Sequence, residues 1–258
     1  DELLAVKWIV SRAVEESGRL ILNAEDELSR AKSHDYSGDL VWFSLDPDND
    51  TILSHTRNGG LAFVLVGDEL VKIEGATREA ICRSDEIPIT LGGAARHNVA
   101  NALAAAALTW CLGASLTDIR SGLITMVQDE NPGRCNLYDV DGYKVLIDFA
   151  HNPAAMSALF DMARAIPAKR RALCFGQAGD RTDDLIRELA RDAWAIDLDN
   201  VIVSELAAYH RGREHGDVFG IIRDELLECG AADSQIQHFE EEMESFMAAL
   251  DWARPGDL

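Results

Sequence analysis

Three side chains that can carry polar chemistry follow directly after the apolar run 143–147. They are the carboxylate Asp148, the imidazole His151 and the amide Asn152, and Pro153 then begins an alanine-rich helical pattern. This order predicts a strand-to-helix corner, where α/β proteins commonly bind ligands, and the amino end of the helix offers N–H groups to an anion. The alternative is that Asn152 only caps the helix and that His151 is a surface loop residue.

Two more candidate loops follow later strand patterns in the same half of the chain. Residues 176–181 read Gly-Gln-Ala-Gly-Asp-Arg after the run 171–175, and residues 209–213 read Tyr-His-Arg-Gly-Arg after the run 200–204. Taken alone, the first is any tight turn or an anion-binding nest, and the second is an ordinary basic turn. Their position after strands makes both candidates for substrate contacts.

A repeated strand–helix pattern positions these loops. After an opening hairpin with Asp141-Gly142 as its turn, the alternation predicts a largely parallel sheet with helices on both faces. The predicted strands are 135–140, 143–148, 171–175, 200–204 and 235–239, and the predicted helices lie near 153–165, 183–195, 215–228 and 240–252. The break Asn131-Pro132-Gly133-Arg134 precedes this pattern, so we predict two domains, residues 1–131 and 132–258.

The first of these domains has a different order of elements. Apolar spacing predicts a helix over 2–16 that Gly18 ends, and either Asn23 or Asp26 is expected to cap the helix after the first strand. The segment 46–50 is expected to be an acidic turn. The other predicted elements are strands at 19–22 and 40–44, a hairpin over 60–74 and helices from about 96 to 112 and 115 to 126.

Composition excludes several classes of protein. The formal net charge of −21 argues against a nucleic-acid partner, because phosphate backbones select for lysine and arginine surfaces. No apolar run is long enough to span a membrane and no secretory signal is present, so we expect a cytoplasmic protein without a membrane partner. The five cysteines are scattered without a Cys-x-x-Cys pair, which favours small core residues over disulfides or structural zinc.

Five stretches, taken together and in order, resemble the Mur ligase family of ATP-dependent amide ligases, and most of all its cyanophycin synthetase branch. The resemblance extends over essentially the whole chain. It is carried by residues 5–8 (Ala-Val-Lys-Trp) with 22–26 (Leu-Asn-Ala-Glu-Asp), 96–105 (Arg-His-Asn-Val-Ala-Asn-Ala-Leu-Ala-Ala), 132–136 (Pro-Gly-Arg-Cys-Asn), 148–153 (Asp-Phe-Ala-His-Asn-Pro) and 176–181.

The resemblance implies a fold and a reaction. The α/β chain would hold the C-terminal part of a P-loop-type central ATPase domain (1–131), followed by a Rossmann-like C-terminal domain that binds the amino acid (132–258). ATP would phosphorylate a carboxylate, and an amino group would attack the acyl phosphate, with release of ADP and phosphate. Charge neutralisation by Mg²⁺ and cationic side chains suits this chemistry. The implied partners are ATP, an amino acid and a carboxylate-bearing acceptor. The resemblance leaves open whether the protein forms a homo-oligomer.

The same resemblance implies roles on the nucleotide side. Lys7, as a carbamate formed with CO₂, would bind Mg²⁺ and act in catalysis, whereas the alternative is a solvated lysine on an amphipathic helix. Asn98 would contact adenine, and it is also a candidate N-cap of the alanine-rich helix. Arg134 and Asp148 would reach the nucleotide, with a structural salt bridge as the alternative. His151 would act near the phosphates as a donor, and Asn152 belongs to the same nucleotide site.

On the substrate side, the resemblance implies that Asp180 and Arg181 face the incoming amino acid and bind its ammonium and carboxylate groups. Arg211 and Arg213, in the following loop, would complete that pocket.

Departures from the family pattern lead us to expect a fragment. A phosphate loop of the form G-x-x-G-K-[ST] is absent from the sequence and would precede Asp1, and the family's acidic Mg²⁺ ligand and N-terminal domain are missing too. The final residues, 254–258, predict a turn leading to a further strand. Phe149 lacks the hydroxyl of the family's usual tyrosine. We therefore expect a chain that is inactive alone and comes from an active ligase.

Three other functions are alternatives to this ligase. Folylpolyglutamate synthase shares the implied chemistry but fits the turns 132–136 and 211–213 less well. A non-catalytic subunit that binds nucleotide or amino acid is the non-enzymatic alternative. A dinucleotide oxidoreductase fails, because no strand pattern is followed by G-x-G-x-x-G.

Overall fold

The structure, a computed structural model, describes the backbone of residues 2–258 and the side chains of residues 4–153 and 155–258. The chain forms two compact units, and the first ends at Glu130 while the second begins at Asn131. This division lies one residue before the boundary expected from the sequence.

Unit 1 is built on a five-stranded sheet. Its strands are β1 (Arg19–Asn23), β2 (Asp39–Ser44), β3 (Leu61–Val66), β4 (Glu69–Glu74) and β5 (Thr77–Arg83), and its helices are α1 (Glu2–Lys7), α2 (Glu27–Ser33), α3 (Asp50–Arg57), α4 (Arg96–Cys111) and α5 (Leu116–Thr125). The strands lie in chain order; β1, β2 and β3 are parallel, and β4 and β5 continue as antiparallel neighbours.

The core of unit 1 covers both faces of this sheet. Because successive side chains of a strand point to opposite faces, Leu61 and Phe63 of β3 pack in one cluster with α4, and Ala62 and Val64 pack in another with Ile52 of α3. The alanines of α4 are small enough for this helix to lie close against β1, β2 and β3. The central strands are therefore buried on both sides.

Three details of unit 1 differ from the sequence-based expectations. The helix predicted over 2–16 is α-helical only to Lys7 and continues as a 3-10 helix over Trp8–Ala13, on which Ile9 and Val10 are exposed. The predicted acidic turn is present at residues 46–49, but helix α3, which follows it with Asn49 as its N-cap, was not predicted. Strand β5 was not predicted, because its first four residues are exposed and charged or small. Of the two candidate caps for α2, Asp26 is the N-cap, and it accepts from Leu28 N.

Unit 2 confirms the predicted alternation of strands and helices. Its strands are β6 (Asn136–Val140), β7 (Tyr143–Ile147), β8 (Ala172–Phe175), β9 (Asn200–Ser204) and β10 (Ile236–Phe239), and its helices are α6 (Pro153–Ala165), α7 (Asp183–Trp194), α8 (Asp217–Glu228) and α9 (Glu242–Trp252). Strands β8, β9 and β10 form a parallel sheet with β9 in the centre. Their carboxyl ends, and the loops that follow, therefore share one edge.

Strands β6 and β7 form a separate antiparallel hairpin. Asp141 and Gly142 both have positive φ, 49° and 86°, as the predicted two-residue turn requires. The end of the chain links this hairpin to the parallel sheet: Lys144 N donates to Asp257 O at 2.9 Å, and Ala172 N donates to Leu258 O at 2.9 Å. The hairpin is thus held next to β8 through the residues that follow α9.

Within the described residues, no helix combines the length and the hydrophobicity needed to cross a membrane.

Candidate functional site

Asp148 lies directly after β7, and three hydrogen bonds fix its half-buried carboxylate. Its Oδ2 accepts from Cys135 N at 2.9 Å and from Cys135 Sγ at 3.1 Å, and its Oδ1 accepts from Ala150 N at 2.7 Å. An ionised carboxylate offers about four acceptor positions, so the side chain keeps capacity for a ligand hydroxyl. Asp148 is therefore held in place by the protein and still able to bind.

The Pro-Gly-Arg turn is built against this corner. Asn136 Oδ1 accepts from Gly133 N at 2.5 Å and from Arg134 N at 3.2 Å, and Phe149 N donates to Gly133 O at 2.9 Å. Gly133 has φ +74°, a conformation that favours glycine. The structure thus joins two stretches that the sequence had assigned to one nucleotide site.

Arg134 projects from that turn as an exposed side chain, with its guanidinium carbon 5.3 Å from the centre of the Phe149 ring. The ion pairs of the described side chains do not include one between Arg134 and Asp148, so the structural salt bridge considered from the sequence is wrong. Stacking on Phe149 leaves the guanidinium's N–H groups free to meet an anion.

His151 and Asn152 complete the corner with different kinds of contact. Asn152 is the N-cap of α6 and accepts from Ala155 N at 3.0 Å, which confirms the capping interpretation. His151 is exposed, and its Nδ1 lies 3.1 Å from Phe149 O. Since a carbonyl only accepts, Nδ1 carries a hydrogen, and Nε2 can donate only when the imidazole is protonated. These additional nucleotide roles of His151 and Asn152 stay predictions.

Cys135 is buried, as the sequence predicts for a small core residue, and its thiol also orients Asp148. Burial raises the pKa of the Cys135 thiol, and the neighbouring Asp148 carboxylate raises it further. The thiol therefore stays protonated and donates to Asp148. A cysteine between the Pro-Gly-Arg turn and the first residue of a strand gives no sequence signal for this role.

The two later loops contact each other. Arg211 Nη1 forms an ion pair with Asp180 Oδ2, and Gly179 N donates to Tyr209 O at 2.9 Å. A Cβ atom on Gly179 would lie 2.0 Å from His210 O, so only glycine allows this close approach. The predicted substrate residues Asp180 and Arg211 are thus brought together.

Arg213 and Arg181 play different parts in this contact. The Arg213 guanidinium donates to Gly179 O at 2.8 Å, to Arg181 O at 2.7 Å and to Asp183 Oδ1 at 2.7 Å. Arg213 therefore holds the first loop, and Arg181 contributes its carbonyl to that contact. Substrate contacts by either side chain remain predictions.

In unit 1, Asn98 is the third residue of α4 and is buried. Its Nδ2 donates to Ile89 O at 2.7 Å, and its Oδ1 accepts from Asn101 Nδ2 at 3.3 Å. The N-cap of α4 is Ala95, so the capping role considered for Asn98 is wrong. One amide hydrogen and one oxygen lone pair remain, which still allows a contact with a base edge.

Lys7 is the last residue of α1, and its side chain is exposed. In the described part of the chain, no group of three histidine, cysteine, aspartate or glutamate side chains is arranged to hold a metal ion. A carbamylated Lys7 would supply one ligand only. The described residues therefore do not form a Mg²⁺ site by themselves.

Known proteins resemble this chain in sequence. Residues 133–258 match the family model described as Mur ligase, glutamate ligase domain. The chain is 34% identical over 229 residues to cyanophycin synthetase of Crocosphaera subtropica, covering 88% of this chain and 26% of that protein. It is 31% identical over 260 residues to cyanophycin synthetase of Trichormus variabilis, covering 100% of this chain and 28% of that protein. Residues 133–258 therefore belong to the Mur ligase family, and the chain as a whole is similar in sequence to cyanophycin synthetases.

Solved structures show the same fold. MurF from Acinetobacter baumannii aligns with a TM-score of 0.63 at 18% identity, over 96% of this chain and 48% of that one. MurF ligase from Thermotoga maritima in complex with ADP aligns with a TM-score of 0.60 at 15% identity, over 98% of this chain and 52% of that one. The chain spans about a quarter of the length of the cyanophycin synthetases it matches.

Proposed function

We propose that the complete gene product is an ATP-dependent, ADP-forming ligase of the cyanophycin synthetase kind, which joins an amino acid to a carboxylate through an acyl phosphate. The observation that carries the proposal is the corner in which the Pro-Gly-Arg turn and Asp148 are hydrogen-bonded to each other. It offers an acceptor and an exposed cation side by side, the two groups that a ribose and a phosphate require. The names of the relatives support the same class of reaction.

The proposed reaction has two steps. An oxygen of the acceptor carboxylate attacks the γ-phosphorus of ATP, the bond between that phosphorus and the β,γ-bridging oxygen breaks, and ADP leaves. The amino nitrogen of the incoming amino acid then attacks the acyl carbon, phosphate leaves with the C–O bond electrons, and the nitrogen loses a proton. Positioning and charge neutralisation are the protein's main contributions to such chemistry.

In this proposal each nucleotide contact is assigned to a single side chain. Asp148 accepts from the ribose hydroxyls, using the acceptor capacity left by Cys135 and Ala150, and Arg134 reaches the phosphates. Asn98 contacts adenine through its remaining amide hydrogen and lone pair. Asn152 keeps α6 capped while the N–H groups of that helix's first turn face the nucleotide.

His151 is proposed to donate a hydrogen bond to the transferring phosphate. Because Nδ1 already faces Phe149 O, the donating atom would be Nε2 of the protonated imidazole. The proposal therefore requires an imidazolium at this position during the reaction.

The amino-acid pocket is proposed at the contact between the loops after β8 and β9. Asp180 and Arg211 form an ion pair, and a bound amino acid would exchange it for two new pairs, its ammonium group with Asp180 and its carboxylate with Arg211. Arg181 lies in the same loop and would add to the carboxylate contact. Arg213 would keep the two loops together.

For Mg²⁺, Lys7 remains the proposed ligand after carbamylation, and the ion would neutralise phosphate charge when bound. The remaining ligands would come from ATP, water or residues beyond the described chain. Since ATP is the proposed substrate, we propose the cytoplasm as its location.

The test is ADP release by the complete gene product, with single amino acids and candidate acceptors. We expect release to require both substrates, to collapse with Asp148→Ala and Lys7→Ala, and to persist with Asp139→Ala, which removes an exposed carboxylate of the β6–β7 hairpin that is paired with Lys144. Nucleotide binding without turnover for any substrate pair would contradict the ligase and favour a non-catalytic binding subunit.

A further inference from the structure

A buried carboxylate lies beneath the loop that carries Arg211 and Arg213. Glu205 directly follows β9, its side chain is 5% exposed, and its backbone N–H donates to Phe239 O of β10 at 2.9 Å. Oε2 lies 3.1 Å from His210 Nε2, and Oε1 lies 3.0 Å from His238 Nε2. One carboxylate thus joins two imidazoles from different elements.

The chemistry of these contacts fixes the hydrogens. An ionised carboxylate only accepts hydrogen bonds, so both Nε2 atoms must carry hydrogen. A buried carboxylate is unfavourable unless its oxygens have partners, and here each oxygen has one imidazole partner. The two hydrogen bonds therefore fix the positions of Glu205, His210 and His238 relative to one another.

One side of this arrangement is rigid. His238 belongs to β10, and its ring stacks on Phe219 of α8 with centroids 4.0 Å apart and an angle of 5° between the planes. His210 instead belongs to the loop between β9 and α8. Glu205 therefore ties a loop residue to the fixed framework of the sheet and α8.

The loop that carries His210 is hydrogen-bonded to the loop after β8. Tyr209 O accepts from Gly179 N, and Arg213 N donates to His210 O at 3.1 Å. Displacing His210 would move the carbonyl of Tyr209, which accepts from Gly179, and the carbonyl of His210, which accepts from Arg213. The backbone that orients Arg211 and Arg213 would move with these carbonyls.

We propose that Glu205 is a positioning residue of the amino-acid pocket. Through His210 it sets the place of the loop 206–213, and through that loop the geometry of the Asp180–Arg211 pair. This inference rests on the proposed function for its substrate, an amino acid with free ammonium and carboxylate groups. The positioning itself rests only on the contacts of Glu205.

The principal variant is Glu205→Gln in the complete gene product. Glutamine keeps the volume but turns one acceptor oxygen into an N–H donor, which cannot accept from an imidazole N–H. His210→Ala is the second variant, because it frees the loop and leaves the Glu205–His238 bond intact. The control is Asp161→Asn, which alters an exposed ion pair with Arg164 in α6, in which the aspartate side chain is 71% exposed.

The first measurement is amide hydrogen exchange. Tyr209, Arg213 and Gly179 donate backbone hydrogen bonds within or onto the loop, so their exchange reports its opening. We expect exchange at these amides to rise at least about tenfold in Glu205→Gln and His210→Ala, with β9 amides unchanged and with Asp161→Asn like the wild type. Unchanged exchange in both loop variants would overturn the positioning role.

The second measurement separates KM from kcat. We expect KM for the amino acid to rise about tenfold or more in both variants, with KM for ATP unchanged and kcat within about twofold, because the loop positions the substrate and not the nucleotide. Faster loop exchange with an unchanged KM for the amino acid would overturn the link to the pocket. An enzyme without ligase activity would contradict the proposed function, and hydrogen exchange would still decide the role of Glu205.

Discussion

Replacing Gly179 with alanine tests the loop contact at its tightest point. The new Cβ would lie 2.0 Å from His210 O, whereas ordinary contacts begin near 3.4 Å, so the loops must separate by about 1.4 Å. That movement weakens the bonds from Gly179 N to Tyr209 O and from Arg213 Nε to Gly179 O. At about 1 kcal/mol for each bond and about 1–3 kcal/mol for overpacking, we expect unit 2 to lose about 3–5 kcal/mol of unfolding free energy.

Gly220→Ala is the matched control, because a Cβ there would have no atom within 4 Å and the residue lies in α8. Alanine in a helix is more stable than glycine by about 0.5–1 kcal/mol, so this variant should be slightly stabilised. Both free energies are measured by hydrogen exchange of β9 peptides over a series of urea concentrations, which reports on unit 2 separately. If Gly179→Ala matches the wild type in stability, the described approach of the two loops is incorrect.

Three further predictions concern other sites. Asn152→Ala should lower the unfolding free energy of unit 2 by about 1 kcal/mol through loss of the α6 cap, and Asn152→Asp should restore most of it; equal stability of both variants would contradict the cap. Cys135 should resist alkylation by iodoacetamide in the folded protein, because burial raises its pKa; rapid labelling detected by mass spectrometry would refute this. Burial lowers the pKa of His55 below its ordinary 6.5, so the unfolded state takes up a proton first as pH falls through 6.5. Unit 1 should therefore lose stability below pH 6.5, and His55→Gln should lessen that loss; an unchanged pH profile in denaturant titrations would contradict it.

Several elements of unit 2 were predictable because β8 and β9 are apolar runs and because α6 and α7 each begin at a side-chain cap. Thr182 caps α7 and Asn152 caps α6, and both signals are local in sequence. Strand β5 was missed because it is an antiparallel continuation of the sheet with an exposed, charged start, so neither alternation nor a hydrophobic run identifies it.

The contacts of the candidate site could not be predicted from the sequence. The family resemblance implies that Asp148 and Arg134 belong to one site, which stays a prediction, but it does not indicate that Cys135 N donates to Asp148 or that Asn136 accepts from Arg134 N. Glu205 was missed because its partners His210 and His238 come from separate elements, and only the parallel pairing of β9 with β10 brings them together.

Similarly, the burial of Asn98 follows from tertiary packing. Its amide turns toward Ile89 O, a contact across nine residues that helix periodicity does not encode. A polar residue near a helix start is usually taken as a cap, but here the helix begins at Arg96, two residues before Asn98, and its N-cap is Ala95.

The most direct test of the proposed reaction follows oxygen from acceptor to phosphate. The complete gene product is supplied with ATP, an amino acid and an acceptor whose carboxylate carries ¹⁸O, and the released phosphate is analysed by mass spectrometry. An acyl-phosphate mechanism transfers one acceptor oxygen to phosphate in each turnover, so we expect one ¹⁸O per phosphate, and no labelled phosphate when the acceptor is unlabelled. Product formation with unlabelled phosphate, from an acceptor that retains both ¹⁸O atoms until the amide forms, would contradict the account.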